Sequence, residues 1–351
     1  MPRYLKGNSS MIACLKLCLL GLLFSAFPAW AWAPKSLVIF GDSLSDTGNK
    51  FKQYHQPVSP PYWNGRYSNG PLWIEDLAYQ SQLIDNPMTN PDEAVTSRWK
   101  NYAFGDSTVL KGHVGPGVQT RTLNEEVNEF ITQAPTLDWN TTLVVLWDGS
   151  NDLMDSVCLK DPFQCTRTVV QETIRNIDLL HEKGARYFLL PLMPDVSLTP
   201  LAHQALPPHQ RKELQQLVKY FNNEYEISLE HLQASTPNLH LFVVDTNLFI
   251  QQNKDKFPMS LSSLCYNNEG KYDKIMGSVC ENPDDYFFWD QMHPTAKAHQ
   301  QFAEAVAESL LHADGKETSN LIENLVPAIT QEPVAPVPDK GDEHANKQWL
   351  Q

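Results

Sequence analysis

The sequence predicts an α/β fold built around a parallel β-sheet. Segments with the short apolar pattern of a strand alternate along the 351-residue chain with segments whose apolar residues recur at helical spacing. Repeated alternation of this kind favours a parallel sheet covered by helices on both faces. Ligands on such sheets bind at the carboxyl ends of the strands, which is where most of the polar motifs of this chain fall.

The predicted elements follow one another in a regular order. Strands are predicted at residues 36–40, 141–146, 186–192 and 239–244. Helices are predicted at residues 71–80, 122–133, 166–183, 208–232 and 296–311.

The helix assignments depend on the spacing of apolar residues. Leu123, Val127 and Phe130 recur at about the 3.6-residue period of a helix. The longer amphipathic helix after them ends at Gly184, a residue type that often terminates helices. These patterns predict helices with one buried face.

The first polar motif is a turn at the end of the first predicted strand. The apolar run at residues 36–40 stops at Gly41, and Ser43 follows two residues later. A strand, a tight turn and a small hydroxyl residue can lift a nucleophile out of a sheet, with free backbone N–H groups nearby. Ser43 is therefore a candidate nucleophile, and the alternative is an ordinary turn or helix cap.

The second motif, near the other end of the chain, supplies a candidate base. Asp290 and His293 lie three residues apart after an aromatic run, and Pro294 follows. A serine nucleophile needs a base, and the base needs a partner that fixes its tautomer and stabilises its cation. His293 and Asp290 can fill these two roles, whereas the alternative is a surface histidine in a loop.

Two further motifs carry candidate donors for an oxyanion. Gly105 ends the run Asn-Tyr-Ala-Phe-Gly, and Asn151 lies in Gly-Ser-Asn-Asp after the strand predicted at 141–146. A tetrahedral oxyanion needs hydrogen-bond donors that are held in place before the reaction, and the Gly105 N–H and the Asn151 amide are suitable. Each motif alone is equally compatible with a polar turn.

Together, in this order, the four motifs resemble those of the GDSL lipases, also called SGNH hydrolases. The resemblance implies Ser43 as the nucleophile, with Asp290 and His293 completing a catalytic triad. It implies an oxyanion hole formed by the Ser43 N–H, Gly105 and Asn151. It also implies a flavodoxin-like three-layer α/β/α sandwich with a five-stranded parallel sheet.

The resemblance extends over about residues 36–311 and is strongest to a bacterial branch of phospholipases and glycerophospholipid–cholesterol acyltransferases. It implies a secreted serine esterase that acts on lysophospholipids or phospholipids through an acyl-enzyme, with water or a sterol as the acceptor. No metal or cofactor is implied. Two alternatives are a carbohydrate acetylesterase on the same scaffold and a catalytically inactive binding relative. Asp148 places a carboxylate where many relatives are apolar, and no role follows for it.

The two ends of the chain differ in composition from its centre. Residues 1–33 contain an apolar stretch after Lys16 and an Ala-Trp-Ala cleavage pattern, which predict a secretory signal peptide. A buried N-terminal helix is the alternative. We expect one hydrolase domain at residues 34–313 and a mostly disordered tail at 314–351, where proline and charged residues accumulate. No other segment is apolar enough to span a membrane. The predicted signal peptide implies a secreted or periplasmic location.

The charge of the chain excludes some classes of partner. The formal net charge is −14, and removal of a basic leader makes the exported chain more acidic. Such a chain is not expected to bind nucleic acid or anionic lipid through bulk charge. A lipid substrate would have to be reached through apolar contacts.

Four cysteines lie outside the predicted leader: Cys158, Cys165, Cys265 and Cys280. An even number in an exported protein favours disulfides over zinc. Three pairings are possible, and proximity in sequence favours Cys158–Cys165 and Cys265–Cys280.

Overall fold

The computed structural model describes residues 34–88, 98–111, 120–154 and 158–312. The predicted signal peptide at 1–33 and the predicted tail at 314–351 lie outside the described residues.

A five-stranded, all-parallel sheet forms the centre of the fold, with the strand order β2-β1-β3-β4-β5. The predicted flavodoxin-like order is therefore confirmed. The strands are β1 Ser36–Gly41, β2 Trp99–Asn101, β3 Thr142–Trp147, β4 Tyr187–Pro191 and β5 His240–Val244. The four predicted strands are present, and β2 is an additional edge strand that is too short to show a sequence period.

Helices cover both faces of the sheet. Their bounds are α1 Asn49–Tyr54, α2 Trp73–Gln80, α3 Leu123–Gln133, α4 Ser150–Met154, α5 Pro162–Glu182, α6 Pro200–Ala205, α7 Pro208–Ser235, α8 Thr246–Asn253 and α9 Ala296–His312. All five predicted helices are present. The helices that were not predicted (α1, α4, α6 and α8) have eight residues or fewer, which is too short for a periodic signal.

Local sequence explains where two of the predicted helices begin. The Thr122 hydroxyl accepts a hydrogen bond from the Glu125 N–H, and the Glu125 carboxylate accepts one from the Thr122 N–H. Helix α3 therefore starts with a capping box. Helix α5 begins at Pro162, four residues before the predicted start, because Asp161 caps it and proline is well tolerated in the first turn.

The two faces of the sheet bury different kinds of side chain. Val38 and Phe40 belong to an aliphatic core that includes residues of α3, α5 and α7. On the other face, Trp147 at the end of β3 packs against Trp73 of α2 and Phe302 of α9, with ring centroids 5.5 and 5.3 Å apart. Both faces are thus closed, and the carboxyl ends of the strands remain as the place for a site.

Two disulfides close local loops. The structure joins Cys158 to Cys165, and Cys265 to Cys280, the pairs that proximity in sequence favours. The first loop lies directly before and within the start of α5, and the second precedes the Asp290 motif. Both bridges therefore constrain loops that follow the strands.

Gly41 provides a test of the turn that carries Ser43. A Cβ atom there would lie 2.2 Å from the Trp147 carbonyl oxygen, and the φ angle of Gly41 is 146°. We predict that Gly41→Ala lowers the free energy of unfolding by more than about 1 kcal/mol, measured by urea denaturation. Gly48→Ala is the matched control, because Gly48 also has a positive φ but its added Cβ would be 3.5 Å from the nearest atom. Equal losses would show that the contact with Trp147 is unimportant.

Candidate active site

Ser43 lies in a tight turn at the carboxyl end of β1. The Asp42 carbonyl accepts the N–H groups of Ser45 and Asp46, so the chain reverses direction directly after the strand. Parallel pairing places Gly41 opposite Trp147 of β3. Because Gly41 has no side chain, the two strand ends can approach closely, and Ser43 is directed to the same edge as the residues that follow β3.

Ser43, His293 and Asp290 form a continuous hydrogen-bonded chain. The Ser43 Oγ–His293 Nε2 distance is 2.8 Å, and His293 Nδ1 lies 2.9 Å from both carboxylate oxygens of Asp290. All three side chains are buried. Residues separated by 250 positions in sequence are thus brought together in the order hydroxyl, imidazole, carboxylate.

Asp290 is held by several donors besides His293. The Tyr62 hydroxyl donates to Asp290 Oδ2 at 2.5 Å, and the N–H groups of Met292 and His293 donate to Oδ1 at 2.8 Å. Asn268 in turn donates to the Tyr62 oxygen at 2.9 Å. Although burial opposes its charge, His293 and these hydrogen bonds hold the pKa of Asp290 below its ordinary value.

The His293 ring is enclosed by aromatic side chains. The Tyr67 ring lies 4.9 Å from it and the Tyr272 ring 5.7 Å, measured between centroids. Burial alone would lower the pKa of His293, but the charge and hydrogen bond of Asp290 outweigh burial and raise it. The ring is therefore prepared to accept a proton.

Of the three predicted oxyanion donors, Ser43 and Asn151 lie on the wall of one cavity. Asn151 uses one amide hydrogen to donate to the Ser107 carbonyl at 2.8 Å, which leaves the second hydrogen for a ligand. The Ser43 N–H makes no hydrogen bond within the described chain.

Gly105 is arranged differently from its predicted role. Its N–H donates to Asp46 Oδ2 at 2.8 Å, and it does not line the cavity that Ser43 and Asn151 share. In this structure the Gly105 amide is therefore not free to bind an oxyanion. It instead ties the loop after β2 to the loop that carries Ser43.

Paired asparagines join the first and second motifs. Asn49 donates to the carbonyls of Asn101 and Ala103, and Asn101 donates to the Ser45 carbonyl and the Thr47 hydroxyl, all at 2.8–2.9 Å. These reciprocal amide bonds cross between the two strand-end loops. The loop around Ser43 is consequently fixed before any substrate binds.

An apolar cavity of about 90 Å³ opens onto Ser43 and His293. Its exposed surface is mainly aromatic and aliphatic, and its walls include the turn after β1, the end of β3, helices α8 and α9, and the segment that precedes α9. They include Leu44, Trp147, Phe249, Phe288, Met292 and Phe302. A cavity of this composition favours an apolar group beside the serine.

His299 contributes a neutral polar side chain to the same wall. It is buried, and burial together with the neighbouring His293 lowers its pKa to about 3. His299 is therefore uncharged at neutral pH. It does not touch the Ser43 hydroxyl, so His293 is the histidine placed to act as the base.

The described ranges contain neither a metal-binding cluster nor a membrane-spanning helix. Among these residues, no group of histidine, cysteine and acidic side chains is arranged to hold a metal ion. No helix of the described chain has both the length and the apolar character needed to cross a bilayer.

The fold and the hydrogen-bonded serine, histidine and aspartate define a class of protein, since serine hydrolases use this constellation for acyl transfer. The chain belongs to the GDSL-like lipase/acylhydrolase family, whose model matches residues 37–306. The resemblance inferred from the four motifs is confirmed by this match. The family supports activity as an esterase or lipase.

Similar proteins include enzymes from bacteria and plants. A phosphatidylcholine-sterol acyltransferase from Aeromonas hydrophila is 26% identical over 83% of this chain and 95% of its own length. A thermolabile hemolysin from Vibrio parahaemolyticus is 27% identical over 78% of this chain and 63% of its own length. A GDSL lipase from Tanacetum cinerariifolium is 26% identical over 77% of this chain and 82% of its own length.

Solved structures show weaker similarity. A catalytic mutant of an acetylxylan esterase from Geobacillus stearothermophilus aligns at 12% identity with a TM-score of 0.44, covering 80% of this chain and 96% of that one. A lipolytic protein of the G-D-S-L family from Veillonella parvula aligns at 14% identity with a TM-score of 0.40, covering 78% of this chain and 96% of that one.

Several residues around the site were not found by sequence reasoning. Tyr62, Tyr67 and Asn268 lie in loops outside the four motifs, and their spacing carries no periodic signal. Asn49 and Asp46 lie within the first motif, so their polarity in a buried turn was a signal that could have identified them.

The raised pKa of His293 predicts the pH dependence of turnover. Only neutral His293 can take the Ser43 proton, so we predict that activity falls on acidification with a midpoint above the ordinary histidine value of 6.5. Asp290→Asn removes the charge that raises this pKa, so the acid limb should move to lower pH while kcat falls. Rates on a soluble ester from pH 4 to 10 measure both effects. If the acid limb lay at the same pH in wild type and in Asp290→Asn, Asp290 would not be the group that raises the pKa of His293.

Tyr62 is predicted to position Asp290 without contacting substrate. Tyr62→Phe removes a hydrogen bond to a charged group, worth about 1.5–3 kcal/mol, so kcat should fall roughly tenfold or more while KM changes little. Tyr54→Phe is the control, because the Tyr54 hydroxyl meets only Gln53 at the surface. Wild-type kcat in Tyr62→Phe would show that the other donors to Asp290 are sufficient.

Proposed function

We propose that this chain is an exported serine esterase that releases fatty acid from lysophospholipids, and more slowly from diacyl phospholipids. In the first step, His293 Nε2 removes the proton from Ser43 Oγ, which attacks the ester carbonyl carbon. Asp290 keeps the proton on His293 Nδ1 and stabilises the imidazolium that forms. The collapse of the tetrahedral intermediate expels the glycerol oxygen, which takes the proton from His293 Nε2 and leaves an acyl-enzyme.

The second step regenerates the enzyme. His293 removes a proton from water, the hydroxide attacks the acyl carbonyl, and Ser43 leaves with that proton as free fatty acid is released. An acceptor alcohol such as a sterol can replace water, with a sterol ester as the product. The Ser43 N–H and the free amide hydrogen of Asn151 stabilise the oxyanion in both steps.

The apolar cavity beside Ser43 is the main observation that supports a lipid substrate. Although polar residues such as Asp195 and Thr199 also line it, its exposed surface is mainly that of aliphatic and aromatic side chains, which suits an acyl chain. Support for a lipid also comes from the similarity to a phosphatidylcholine-sterol acyltransferase and a thermolabile hemolysin.

The net charge favours dispersed lipid over an anionic bilayer. A chain with a net charge of −14 is repelled by anionic membrane surfaces. A lysophospholipid has one acyl chain, and extraction of apolar chain from an aggregate costs about 0.8 kcal/mol per CH₂. Single-chain substrates therefore require less work to reach the cavity.

Export is part of the proposal. The leader pattern at residues 1–33 and the two disulfides agree with an oxidising location, either extracellular or periplasmic. The tail at 314–351 follows the catalytic motifs and is proposed to be dispensable for turnover.

A lipid panel tests the substrate. We predict fatty acid release in the presence of a chelator, faster from lysophosphatidylcholine than from diacyl phosphatidylcholine, with sterol ester measured in parallel. Ser43→Ala should abolish release, and a fluorophosphonate should label wild type but not that variant. Activity on acetylated sugars with none on long-chain lysolipids would replace this proposal with a carbohydrate acetylesterase. Absence of labelling and of turnover would indicate a binding protein.

Asn151 is predicted to act on the transition state. Asn151→Ala removes an oxyanion donor, so kcat should fall by roughly 10²–10³ with a smaller change in KM. Asn124→Ala is a matched control, because Asn124 donates its amide to Asn176 on the helix layer instead of lining the cavity. An effect confined to KM would mean that Asn151 binds substrate only.

A further inference from the structure

Tyr67 lies between the backbone of Gly105 and the imidazole of His293. On one side, a Cβ atom added to Gly105 would lie 2.6 Å from the Tyr67 hydroxyl oxygen and 2.6 Å from Cε2 of its ring. On the other side, the Tyr67 and His293 ring centroids are 4.9 Å apart, with an angle of 39° between the ring planes. Tyr67 is 1% exposed, so protein atoms surround the ring.

This contact supplies a physical reason for glycine at position 105. The φ angle of Gly105 lies outside the left-handed region, so backbone strain does not require glycine there. A side chain is excluded instead by the Tyr67 ring, because 2.6 Å is shorter than van der Waals contact between the atoms concerned. Gly105, whose N–H is bound to Asp46, thus leaves room for an aromatic ring beside the base.

The ring of Tyr67, and not its hydroxyl, makes the contacts with the site. The Tyr67 hydroxyl is buried and makes no hydrogen bond within the described chain. A buried hydroxyl without a partner is unfavourable, so hydrogen bonding does not explain tyrosine at this position. The aromatic face beside His293 is the feature of this side chain that has a partner.

A second tyrosine supports the same arrangement. The Tyr272 ring lies 5.7 Å from the His293 ring at 80°, and 5.2 Å from the Tyr67 ring. Tyr272 therefore contacts the imidazole with a different geometry and also packs against Tyr67. The hydroxyls of Tyr67 and Tyr272 stay neutral, since burial raises the pKa of both well above the ordinary value.

The other groups that act on His293 have opposing effects. Burial disfavours the imidazolium, and three carboxylates favour it: Asp290, Asp106 and Asp42. Asp106 is also paired with the buried amine of Lys50. From α9, His299 contributes no charge at neutral pH, because burial and the neighbouring His293 lower its pKa to about 3. An aromatic face would add to the effect of the carboxylates without adding a charge.

We propose that Tyr67 is a positioning residue for the base, and that its ring stabilises the imidazolium of His293 that forms when Ser43 loses its proton. A cation close to an aromatic ring is attracted by the ring quadrupole, most strongly where water is excluded. The same contact holds the plane of the imidazole, whose Nε2 faces Ser43 while Nδ1 faces Asp290. The inference rests on the proposed hydrolytic function, in which His293 becomes charged during each step.

Tyr67→Leu tests the role of the ring, since leucine is apolar but has no aromatic face. Because the ring favours only the charged form, its removal should lower the pKa of His293 by about 0.5–1.5 and move the acid limb of kcat to lower pH. The value of kcat should fall roughly three- to thirtyfold with little change in KM. Tyr67→Phe keeps the ring and should recover most of both losses.

Tyr225→Leu is the matched control. Tyr225 is also buried, its hydroxyl also lacks a partner in the described chain, and its ring packs against Phe221 of α7 at 6.2 Å. Its replacement should lower the thermal midpoint, as in Tyr67→Leu, but should leave both kcat and the pKa of His293 at their wild-type values.

Gly105→Ala moves the ring without removing it. The added methyl group would displace Tyr67 from its present contact with His293, so the pKa of His293 should fall and kcat should fall by roughly threefold or more. In the Tyr67→Leu background the same substitution should cost less than about twofold, because the two residues act through one contact and their effects are not additive.

Three measurements on the full chain decide the question: kcat and KM on a soluble ester from pH 4 to 10, the thermal midpoint, and an NMR titration of the histidine rings. The His293 signal is assigned by its absence from His293→Gln. An unchanged or raised pKa of His293 in Tyr67→Leu, or an equal fall in Tyr225→Leu, would overturn the proposal. Equal losses from Gly105→Ala in both backgrounds would also overturn it.

The test survives two failures. If Tyr67→Leu does not fold, Gly105→Ala still decides, because an unchanged pKa of His293 in that variant would contradict a role for the ring. If wild type hydrolyses no ester, the hydrolytic function fails, whereas the NMR titration still reports whether Tyr67 stabilises the charged form of His293.

Discussion

The parallel pairing of β1 with β3 is the constraint on which the site depends. Six consecutive residues pair from Ser36 with Thr142 to Gly41 with Trp147, so both strands end at the same level. The loops that carry Ser43 and Asn151 therefore start side by side, and the missing side chain at Gly41 allows the two strand ends to approach closely. The placement of the Ser43 and Asn151 loops is a consequence of strand register. Register is strongly specified here because both strands are buried along their whole length.

Hydrogen bonds from polar side chains hold together the loops that follow neighbouring strands. Asn49 and Asn101 exchange amide bonds between the loops after β1 and β2, and Asp46 accepts the Gly105 N–H from the same neighbour. Asn268 and Tyr62 act likewise on the Asp290 side. Asn49, Asn101 and Asp46 satisfy backbone groups that a buried loop would otherwise leave without partners, whereas Tyr62 and Asn268 form hydrogen bonds between side chains. Rigidity around Ser43 thus comes from hydrogen bonding rather than from regular structure.

The sequence predicted the sheet, and the residues Ser43, His293 and Asp290 that the structure brings together, more successfully than their surroundings. Long apolar periods located β1, β3, β4 and β5 and the large helices, and three local motifs identified Ser43, His293 and Asn151 as candidates. The edge strand β2 has three residues, too few for a pattern, and its pairing depends on contacts that are distant in sequence. The partner of the Gly105 N–H could not be read from residue type, because the direction of one amide depends on the conformation of two loops together.

The disulfide between Cys265 and Cys280 lies one layer of side chains away from Asp290. Cys265 packs with Tyr62, Tyr266 and Trp289 in a small core, and Tyr62 is the residue that donates to Asp290. Closing this bond confines the wall against which the triad is aligned. A chain that is still reduced, inside the cell that makes it, carries the same three residues against a less constrained wall. If the chain is exported as proposed, oxidation of Cys265 and Cys280 would also complete the support of Asp290, so the proposed esterase would be fully assembled only outside the reducing interior of the cell.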